Sequence, residues 1–461
     1  MEIYNTLTKS KEKLVPINEN HVNMFVCGPT VYDFIHIGNA RTFVFFDFIA
    51  KYLRYSGFEV NYIQNITDID DKIIQKASGL GQEAKDLAKE YENHFKEDMK
   101  NLGIDSVSNY ARATDHIDQV VDQVQRLIDT GHAYFIENDG YYFDLSTFKD
   151  YGKLSKRTAN MADDAVSRID DSDKKRNKGD FALWKISKPG EPSWETKLGK
   201  GRPGWHIEDT AITEFYFGPQ YDLHGGGQDL IFPHHEAEIA QQESASHKEP
   251  FVKYWMHVAF IVNKQSKMSK SLGNFKTARE LTSHYSKEAL RFYLLSGHYR
   301  SPLNFDEELI KQSQAAVNRI SEFKSKLERV DGDDVPELDK DLDHLKNEMI
   351  RSIDDDINLP QATSFLFEFI RKINPLALNN KISRNQADKI LNFLNEINEI
   401  TGFISTETLD INPELEELIK EREDARQSKD WPKADEIRLK INNLDYSIED
   451  TLYGPLVKKL K

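Results

Sequence analysis

Near its N-terminus the chain carries the pattern that most restricts its fold, because short apolar runs alternate with longer stretches of helical periodicity. Residues 22–27 and 60–66 are predicted strands, and residues 38–55, GNARTFVFFDFIAKYLRY, have apolar side chains at three- and four-residue spacing, which predicts a helix. A second helix is predicted to begin in TDIDDKIIQKA, where Thr67 and Asp70 have the spacing of a capping box. Strand, helix, strand, helix is the opening of a parallel α/β sheet.

Two later regions depart from this pattern. Residues 115–200 break the alternation and are predicted to be an insertion, after which apolar and aromatic runs return in WHIEDTAI, YDLHGGG and YWMHVAFIV. From about residue 315 the pattern becomes helical and charged to the end. We therefore predict an α/β domain with an insertion, followed by a helical C-terminal third.

The composition is that of a globular protein of several domains, with 39% hydrophobic residues and 11% aromatics in 461 residues. A single cysteine allows no intrachain disulfide, the N-terminus has no apolar signal-peptide core, and no apolar run is as long as a membrane span. These features predict a cytoplasmic protein with no membrane partner.

Charge is unevenly distributed along the chain. The net charge of −16 disfavours nucleic acid as a partner, because phosphate binding needs a cationic surface. The stretch 174–202, which we call the basic stretch, instead has nine basic and three acidic residues, with Trp184 and Trp194 among them. Two interpretations are open: a solvated loop, or a surface that meets an anionic polymer.

The single cysteine, Cys27, ends the first predicted strand, and a Gly-Pro pair follows it directly. A lone cysteine is most often a buried structural residue. The other interpretation is a metal ligand or a nucleophile whose partners lie elsewhere in the sequence.

Two short segments suggest phosphate chemistry. HIGN, residues 36–39, follows a predicted strand and turn and opens a helix, so backbone N–H groups and a positive dipole end lie where an anion can bind. In NKQSKMSKSLGNF, residues 263–275, Lys267 and Lys270 lie among small residues, as a triphosphate needs if its charge is to be neutralised during transfer. Together and in this order, the segments resemble the two signatures of class I aminoacyl-tRNA synthetases.

A third segment narrows the resemblance. DLHGGGQDLIFPHHEAEIAQ, residues 222–241, ends a predicted strand in glycines and begins a helix near Pro233, on which His234 and Glu238 share a face. With Cys27 and with GKGRPGWHIE at 199–208, it resembles the cysteinyl-tRNA synthetase family. Five further segments carry the same resemblance: CGPTVYDFIHIGNAR, NITDIDDKII, DFALWK, KPGEPSWE and EREDARQSKDWPKADEIR.

The resemblance implies one zinc ion per chain at the floor of the amino-acid pocket, bound by Cys27, His234 and Glu238 and by the thiolate of the substrate. Where the family pattern has a second cysteine, this chain has Asp209, whose carboxylate keeps the ligand charge. Two neighbours are alternatives to it: His206 and Glu208. Since size alone separates cysteine from serine poorly, zinc would supply the selectivity and make an editing domain unnecessary.

The implied reaction has two steps. The carboxylate of L-cysteine attacks the α-phosphate of ATP, which binds with Mg²⁺, and the cysteinyl group then passes from the adenylate to the terminal ribose of tRNA(Cys). Phosphate contacts are implied for His36, Asn39, Lys267 and Lys270; adenosine contacts for Gly227 and Asp229; amino-acid contacts for Thr67 and Trp205. For Thr67 a helix cap is the other interpretation, and for Trp205 a core position.

The implied fold is a Rossmann-type parallel-sheet catalytic domain with an insertion, then an all-helical bundle and a small C-terminal anticodon-binding domain. Arg426, Asp435 and Asp450 match positions that read anticodon bases, although each could equally be an ordinary surface charge. We expect a monomer. The expected catalytic domain has two halves, 1–114 and 201–260, with the insertion, 115–200, between them. A KMSKS and stem-contact region (261–314), the helical bundle (315–401) and the anticodon domain (402–461) are expected to follow.

Three functions compete at this point. The first is a cysteinyl-tRNA synthetase, the second is a related ligase that joins cysteine to an aminosugar in mycothiol synthesis, and the third is a non-catalytic synthetase-like RNA-binding protein. The complete-looking C-terminal third argues against the second. Intact HIGN and KMSKS segments argue against the third.

Overall fold

A computed structural model describes residues 1–157, 173–263, 266–267, 276–405, 413–444, 446–451 and 454–459. The chain divides into two compact units. The first comprises Met1–Gln314 with Arg351–Pro360, and the second comprises Ala315–Ile350 with Gln361–Lys461. None of the described helices is long and apolar enough to cross a membrane.

The first unit begins with a two-stranded hairpin and then alternates strands with helices. Its elements as far as residue 112 are β1 (Glu2–Asn5), β2 (Ser10–Lys13), β3 (His21–Val26), α1 (Ile37–Tyr55), β4 (Glu59–Ile66), α2 (Asp71–Leu80), α3 (Ala84–Asn101) and β5 (Asn109–Arg112). The strands and helices predicted for this region are therefore confirmed. Helix α1 is buried on nearly every side, which explains why its sequence is apolar beyond a single stripe.

The cap of α2 differs from the prediction. Asp70 is the N-cap residue, and its side chain accepts a hydrogen bond from the Lys72 N–H. Thr67 lies outside the helix, where its backbone N–H and C=O bond to Pro29 and Val31. The cap interpretation of Thr67 is therefore wrong, because an aspartate nearer the helix start takes that role.

The insertion contains a helix and an antiparallel sheet. Its elements are α4 (Ile117–Asp129), β6 (Ala133–Ile136), β7 (Gly140–Phe143), β8 (Phe181–Ile186), β9 (Trp194–Thr196) and β10 (Gly199–Pro203). The strands lie in the order β6-β7-β8-β10-β9. Lys185 and Arg202 form ion pairs with Asp71 at the start of α2, which ties this sheet to the parallel-sheet domain.

The chain then returns to the parallel sheet. The elements that follow are α5 (Ile207–Phe217), β11 (Tyr221–Gly227), α6 (Glu236–Ser246), β12 (Val252–Val258), β13 (Ile261–Asn263), β14 (Ser266–Lys267), α7 (Ala278–Thr282), α8 (Lys287–Leu295) and β15 (Leu303–Asn304). The apolar run WHIEDTAI contributes to α5, while YDLHGGG and YWMHVAFIV contribute to β11 and β12.

Five parallel strands form the central sheet in the order β12-β11-β3-β4-β5. The chain fills one side of β3 first and later crosses to the other side, so β3 and β11 flank the point where the strand order reverses. This is a Rossmann-type arrangement, and the predicted fold class is confirmed. Ligands of such sheets bind outside the carboxyl ends of the strands at the reversal point.

The C-terminal third is mostly helical in its described part. Its elements are α9 (Glu307–Leu327), α10 (Leu338–Asp354), α11 (Leu359–Leu378), α12 (Arg384–Thr401), α13 (Pro413–Gln427), α14 (Trp431–Asn443), β16 (Tyr446–Thr451) and β17 (Gly454–Lys459). The last two strands pair as an antiparallel hairpin. The prediction of helical structure to the end of the chain is therefore wrong for this final hairpin.

Candidate active site and metal centre

Cys27 lies at the carboxyl end of β3, at the reversal point of the sheet. It is buried, and its N–H donates to the carbonyl of Gly225 in β11 at 3.1 Å. Its thiol is thus fixed between two central strands, at the place where a Rossmann-type sheet binds ligands. The structural interpretation of this cysteine explains its burial but not its neighbours.

Three buried side chains surround the Cys27 sulfur, as the sequence predicted. Asp209 Oδ2, from α5, lies 3.6 Å from Cys27 Sγ and 2.9 Å from His234 Nε2. His234 Nε2 lies 3.0 Å from Glu238 Oε1. The ligand atoms of these four residues all lie within 4.8 Å of one another. We call Cys27, Asp209, His234 and Glu238 the metal cluster.

Two histidines that were not predicted share this site. His224 Nε2 and His235 Nε2 lie 3.3 and 3.1 Å from Cys27 Sγ, so that Cys27, His224, His235 and Glu238 form a second group able to hold a metal ion. Both are engaged elsewhere: His224 Nδ1 is 2.6 Å from the Tyr221 hydroxyl, and His235 Nδ1 is 2.8 Å from His257 Nε2. Their sequence signal is their position in HGGGQDLIFPHHE.

Local structure brings His234 and His235 to the same site. The α-helix that carries Glu238 begins only at Glu236, and the backbone before it is kinked at Phe232, which has extended φ and ψ angles of −142° and 130°. The helix predicted to begin near Pro233 therefore begins later. His234 and His235 lie between this kink and the helix, and both are buried beside Cys27, with their ring centroids 5.6 Å apart.

Burial and charge shift the pKa values of Cys27, His234 and Glu238. Burial, and then the nearby Asp209, raises the pKa of the Cys27 thiol. Burial also raises the pKa of Glu238, to about 7. Burial alone would lower the pKa of His234, but Glu238 and Asp209 together raise it to about 10. Burial thus disfavours the charged forms of Cys27 and Glu238, whereas the neighbouring carboxylates favour the charged form of His234.

The residues fit a metal ion. Glu238 is fully buried, and its two carboxylate oxygens lie 3.0 Å from His234 Nε2 and 3.5 Å from His224 Nδ1 without a well-aligned hydrogen bond to either ring. Buried polar atoms are rarely unsatisfied, and a cation is a natural partner for carboxylate oxygens beside a sulfur and an imidazole nitrogen. A thiolate, an imidazole and two carboxylates are ligands that zinc accepts.

His206 and Glu208, the two alternatives to Asp209 as a metal ligand, make other contacts. His206 Nδ1 lies 2.8 Å from His234 Nδ1, which places His206 behind a cluster residue. Glu208 accepts a hydrogen bond from the Thr67 hydroxyl. Neither residue belongs to a four-residue group that could hold a metal ion in the described part of the chain.

Trp205 is not a core residue, since 37% of its surface is exposed. Its ring stacks on His234 with centroids 4.7 Å apart and an interplanar angle of 25°. The Lys72 ammonium lies 5.8 Å from the same ring. The indole therefore forms an accessible wall directly beside the metal cluster.

The HIGN segment caps α1 through its own side chains. His36 is the N-cap residue, and its Nδ1 accepts from the Asn39 N–H at 3.1 Å, while Asn39 Oδ1 accepts from the His36 N–H at 3.3 Å. This reciprocal pair is a capping box. The cap fixes both side chains at the positive end of the helix.

The residues directly after the KMSKS segment pair with the start of α1. The Ile37 N–H donates to the Lys276 carbonyl at 2.9 Å, and the Ala278 N–H donates to the Ile35 carbonyl at 2.9 Å. Lys267 lies in β14, which pairs with β13. Lys270 lies outside the described residues.

Gly227 and Asp229 lie at the carboxyl end of β11. A Cβ atom on Gly227 would approach Asp229 Oδ1 to 2.6 Å, so the site needs glycine for the carboxylate to lie against the backbone. Asp229 is exposed in the turn that follows the strand. Both residues are at the edge of the sheet where a nucleotide would bind.

Comparison with protein-family models gives three matches that together cover most of the chain. Residues 13–315 match the tRNA synthetases class I (C) catalytic domain, residues 348–405 match the DALR domain, and residues 408–452 match the cysteinyl-tRNA ligase anticodon binding domain. The chain belongs to the cysteinyl-tRNA synthetase family.

Full-length relatives agree. The chain is 41% identical over 473 aligned residues to the cysteine–tRNA ligase of Clostridioides difficile and 43% identical to that of Caldicellulosiruptor saccharolyticus, with 100% of each chain covered. It is thus a class I aminoacyl-tRNA synthetase, an enzyme of the cysteine–tRNA ligase type. The aminosugar ligase and the non-catalytic protein are not supported.

Solved structures show the same fold at low identity. The methionyl-tRNA synthetase of Mycobacterium tuberculosis bound by methionyl-adenylate superposes with a TM-score of 0.62 at 16% identity, covering 83% of this chain and 92% of that one. This similarity establishes the fold alone.

In the C-terminal domain of this synthetase, two of the three predicted anticodon residues contact each other. Arg426 lies 2.8 Å from Asp450, which Arg422 also holds at 2.7 and 3.0 Å. Asp435 is exposed on α14. Arg426 also lies 5.6 Å from the ring of Trp431, which is 53% exposed. Arg422, Arg426 and Asp450 are called the C-terminal ion-pair cluster.

The basic stretch is less available to an anionic polymer than its composition suggests. Trp184 is fully buried in the insertion, and Arg202 is buried and paired with Asp71. Arg176 is paired with Asp144. At least these two basic residues therefore serve structural ion pairs, one to the parallel-sheet domain and one within the insertion, and Trp184 cannot stack on a nucleotide base.

Proposed function

We propose that this chain activates L-cysteine with ATP and transfers it to the 3′ end of tRNA(Cys), and that one zinc ion in the metal cluster selects cysteine over serine. The observation that carries the proposal is the buried group of Cys27, Asp209, His234 and Glu238 at the reversal point of the sheet. The buried carboxylate of Glu238, which has no well-aligned hydrogen bond in the described part of the chain, supports a cation there.

The donor set supports zinc. Cys27 would supply the soft sulfur ligand, His234 the imidazole, and Asp209 and Glu238 the carboxylates. When bound, zinc would favour a substrate thiolate over a hydroxyl and lower the thiol pKa. That is the distinction between cysteine and serine that a pocket of the same size cannot make.

The residues around the cluster would form the amino-acid pocket. Trp205 provides an accessible aromatic wall over His234. Thr67 is buried with its hydroxyl on Glu208, so its contribution would be to shape the pocket rather than to donate from a free hydroxyl.

The cap of α1 supports a phosphate role for His36. Because Nδ1 accepts the Asn39 N–H, the neutral ring carries its proton on Nε2, which is the tautomer able to donate to a phosphate oxygen. Asn39 holds this geometry from the first turn of the helix. Gly227 and Asp229 would meet the adenosine, with the carboxylate accepting from ribose hydroxyls.

Lys267 and Lys270 would neutralise the departing pyrophosphate, which leaves with Mg²⁺. The backbone attachment of residues 276–278 to 35–37 supports a KMSKS segment that works beside HIGN. Charge that develops on the leaving group in the transition state is where a lysine contributes most to rate.

The remaining proposals concern the domain boundaries, the residues that contact tRNA and the state of the protein in the cell. Residues 1–114 and 201–260 would form the catalytic domain, 115–200 the insertion, 261–314 the KMSKS and stem-contact region, 315–401 the bundle and 402–461 the anticodon domain. Arg426, Asp435 and Asp450 would read anticodon bases. The protein would act as a cytoplasmic monomer.

Zinc analysis of Asp209 variants, combined with tRNA charging, tests the proposal. Asp209→Ala should lose zinc to a chelator far more readily than the parent and bind cysteine more weakly, because an anionic ligand disappears. Asp209→Cys should retain zinc and activity, since ligand charge and reach are nearly kept. Zinc held by Asp209→Ala as tightly as by the parent would remove Asp209 from the ligand set, and a zinc-loaded parent that charged no tRNA(Cys) would overturn the function.

A further inference from the structure

We infer that Asn65 is a positioning residue that holds one carboxylate oxygen of Asp209 and so leaves only the other oxygen to face the metal cluster. Asn65 Nδ2 donates to Asp209 Oδ1 at 2.5 Å, while Asp209 Oδ2 faces Cys27 and His234 at 3.6 and 2.9 Å. The inference rests on the proposed zinc site and adds a residue to it.

The Asn65 amide has only one workable orientation. Its Oδ1 accepts from the Gly28 N–H at 2.5 Å, and a backbone N–H can only donate. The atom facing Gly28 must therefore be the oxygen, and the atom facing Asp209 must be the NH₂ group. Asn65 is 2% exposed, so water does not compete for either contact.

The backbone around Asn65 is equally constrained. A Cβ atom on Gly28 would approach the Asn65 carbonyl oxygen to 1.8 Å, so only glycine allows the loop after Cys27 to lie this close to β4. One amide thus joins the residue next to Cys27 to the side chain of Asp209. Two ligands from distant parts of the chain are held in a fixed relation through it.

A carboxylate needs this help where a sulfur ligand would not. Asp209 has two equivalent oxygens and can bind a cation through one or both, whereas a cysteine offers a single sulfur. With Oδ1 engaged by Asn65, Asp209 presents one anionic atom, Oδ2. Hydrogen-bonded partners of metal ligands typically change metal affinity by roughly 10–100-fold.

The test is a double-mutant cycle on zinc affinity, measured by competition with a chromophoric chelator on the full-length protein. Asn65→Ala and Asn65→Leu are each made with Asp209 and with Asp209→Cys. With Asp209 present, we expect zinc affinity to fall ~10–100-fold, and with Asp209→Cys by less than roughly threefold. Loss of the Gly28 contact is common to both backgrounds and cancels in the cycle. The leucine variant keeps the side-chain volume in case the alanine variant does not fold.

Cobalt in place of zinc gives a second readout that a purely structural role would not move. A four-coordinate cobalt site absorbs more strongly in the visible than a five-coordinate one. Releasing Oδ1 should let Asp209 bind through both oxygens, so Asn65→Leu should weaken the absorption with Asp209 and leave it unchanged with Asp209→Cys.

The outcomes separate the two claims. Equal losses of zinc affinity in both backgrounds, or no loss with Asp209, would overturn the role of Asn65 while leaving the zinc site standing. A parent protein that binds no zinc, or Cys27→Ser that binds it as tightly as the parent, would overturn the zinc site itself.

Discussion

Two clusters of polar side chains in this synthetase each contain carboxylates but match their charges differently. In the C-terminal ion-pair cluster, two arginines share Asp450, and the carboxylate accepts from both ends of Arg422. In the metal cluster, two buried carboxylates face one histidine and one thiol, and Glu238 contacts ring nitrogens of His234 and His224 without a well-aligned hydrogen bond to either. The carboxylate of the first group is matched by its arginines, whereas the second group is a candidate site for a cation.

The two carboxylates differ in burial, and a buried carboxylate without a matching cation points to a bound ligand. Asp450 is partly exposed, and Arg422 lowers its pKa by direct hydrogen bonding, as expected for a paired surface carboxylate. Glu238 cannot rely on water, so burial raises its pKa to about 7. A carboxylate held in this state is costly unless a proton or a metal ion compensates it.

The largest expected effect is at Cys27, because its sulfur belongs to both candidate ligand groups. Cys27→Ser should lower zinc affinity more than ~100-fold, above the 10–100-fold range of changes outside the ligand set, since a neutral hydroxyl replaces a thiolate. Metal analysis after dialysis against a chelator measures this. Arg426→Ala is the matched control and should keep its zinc; zinc retained by both would contradict the metal cluster.

The zinc affinities of variants at two adjacent histidines show which of the two candidate ligand groups binds the metal. His234→Ala should lower zinc affinity at least ~100-fold, and His235→Ala by ~10-fold or less, since only His234 contacts both Asp209 and Glu238. Chelator competition on both variants gives the ratio. The reverse order would assign the site to Cys27, His224, His235 and Glu238 instead.

Zinc affinity should rise with pH. In the metal-free protein the pKa of Cys27 is raised and that of His234 is about 10, so both hold protons at neutral pH. Zinc needs both groups deprotonated, so binding releases protons and strengthens by up to about tenfold per pH unit for each proton released. Chelator competition from pH 6 to 9, with a pH indicator to count protons, checks the sign. Affinity independent of pH would mean that these groups are already deprotonated.

The sheet could be predicted because it follows from local sequence, whereas the candidate ligands were implied by the family resemblance. Alternating apolar runs and helical stretches predicted the parallel strands, and the position of HIGN after a strand and turn predicted the start of α1, although not its capping box. The last strands could not be predicted, because Tyr446–Thr451 and Gly454–Lys459 are short and charged and pair only with each other.

The residues that were missed in the site depend on contacts distant in sequence. His235 lies beside Cys27 after a kink at Phe232 that precedes α6, and helical periodicity does not anticipate such a kink. Asn65 lies in NITDIDDKII, which was used only for the family resemblance and for a predicted helix cap. Besides Thr67 it contacts Gly28 and Asp209, the latter 144 positions away. Arg422 was missed because its partner, Asp450, is on a strand that was not predicted.

The smallest expected effect is a change in stability at Arg426, in the C-terminal ion-pair cluster. Asp450 keeps both contacts to Arg422 when Arg426 is removed, and Arg426 is partly exposed, so Arg426→Ala should lower the free energy of unfolding by no more than about 1 kcal/mol. ATP–pyrophosphate exchange should be unchanged because the cysteine-activating chemistry lies in the other unit. Charging of tRNA(Cys) should nevertheless fall ~10-fold if Arg426 reads a base. Arg426→Lys, which keeps the charge but not the planar fork, is the matched variant and should recover stability without recovering charging. Normal charging by Arg426→Ala would leave this arginine as one half of a surface ion pair, with no part in tRNA selection.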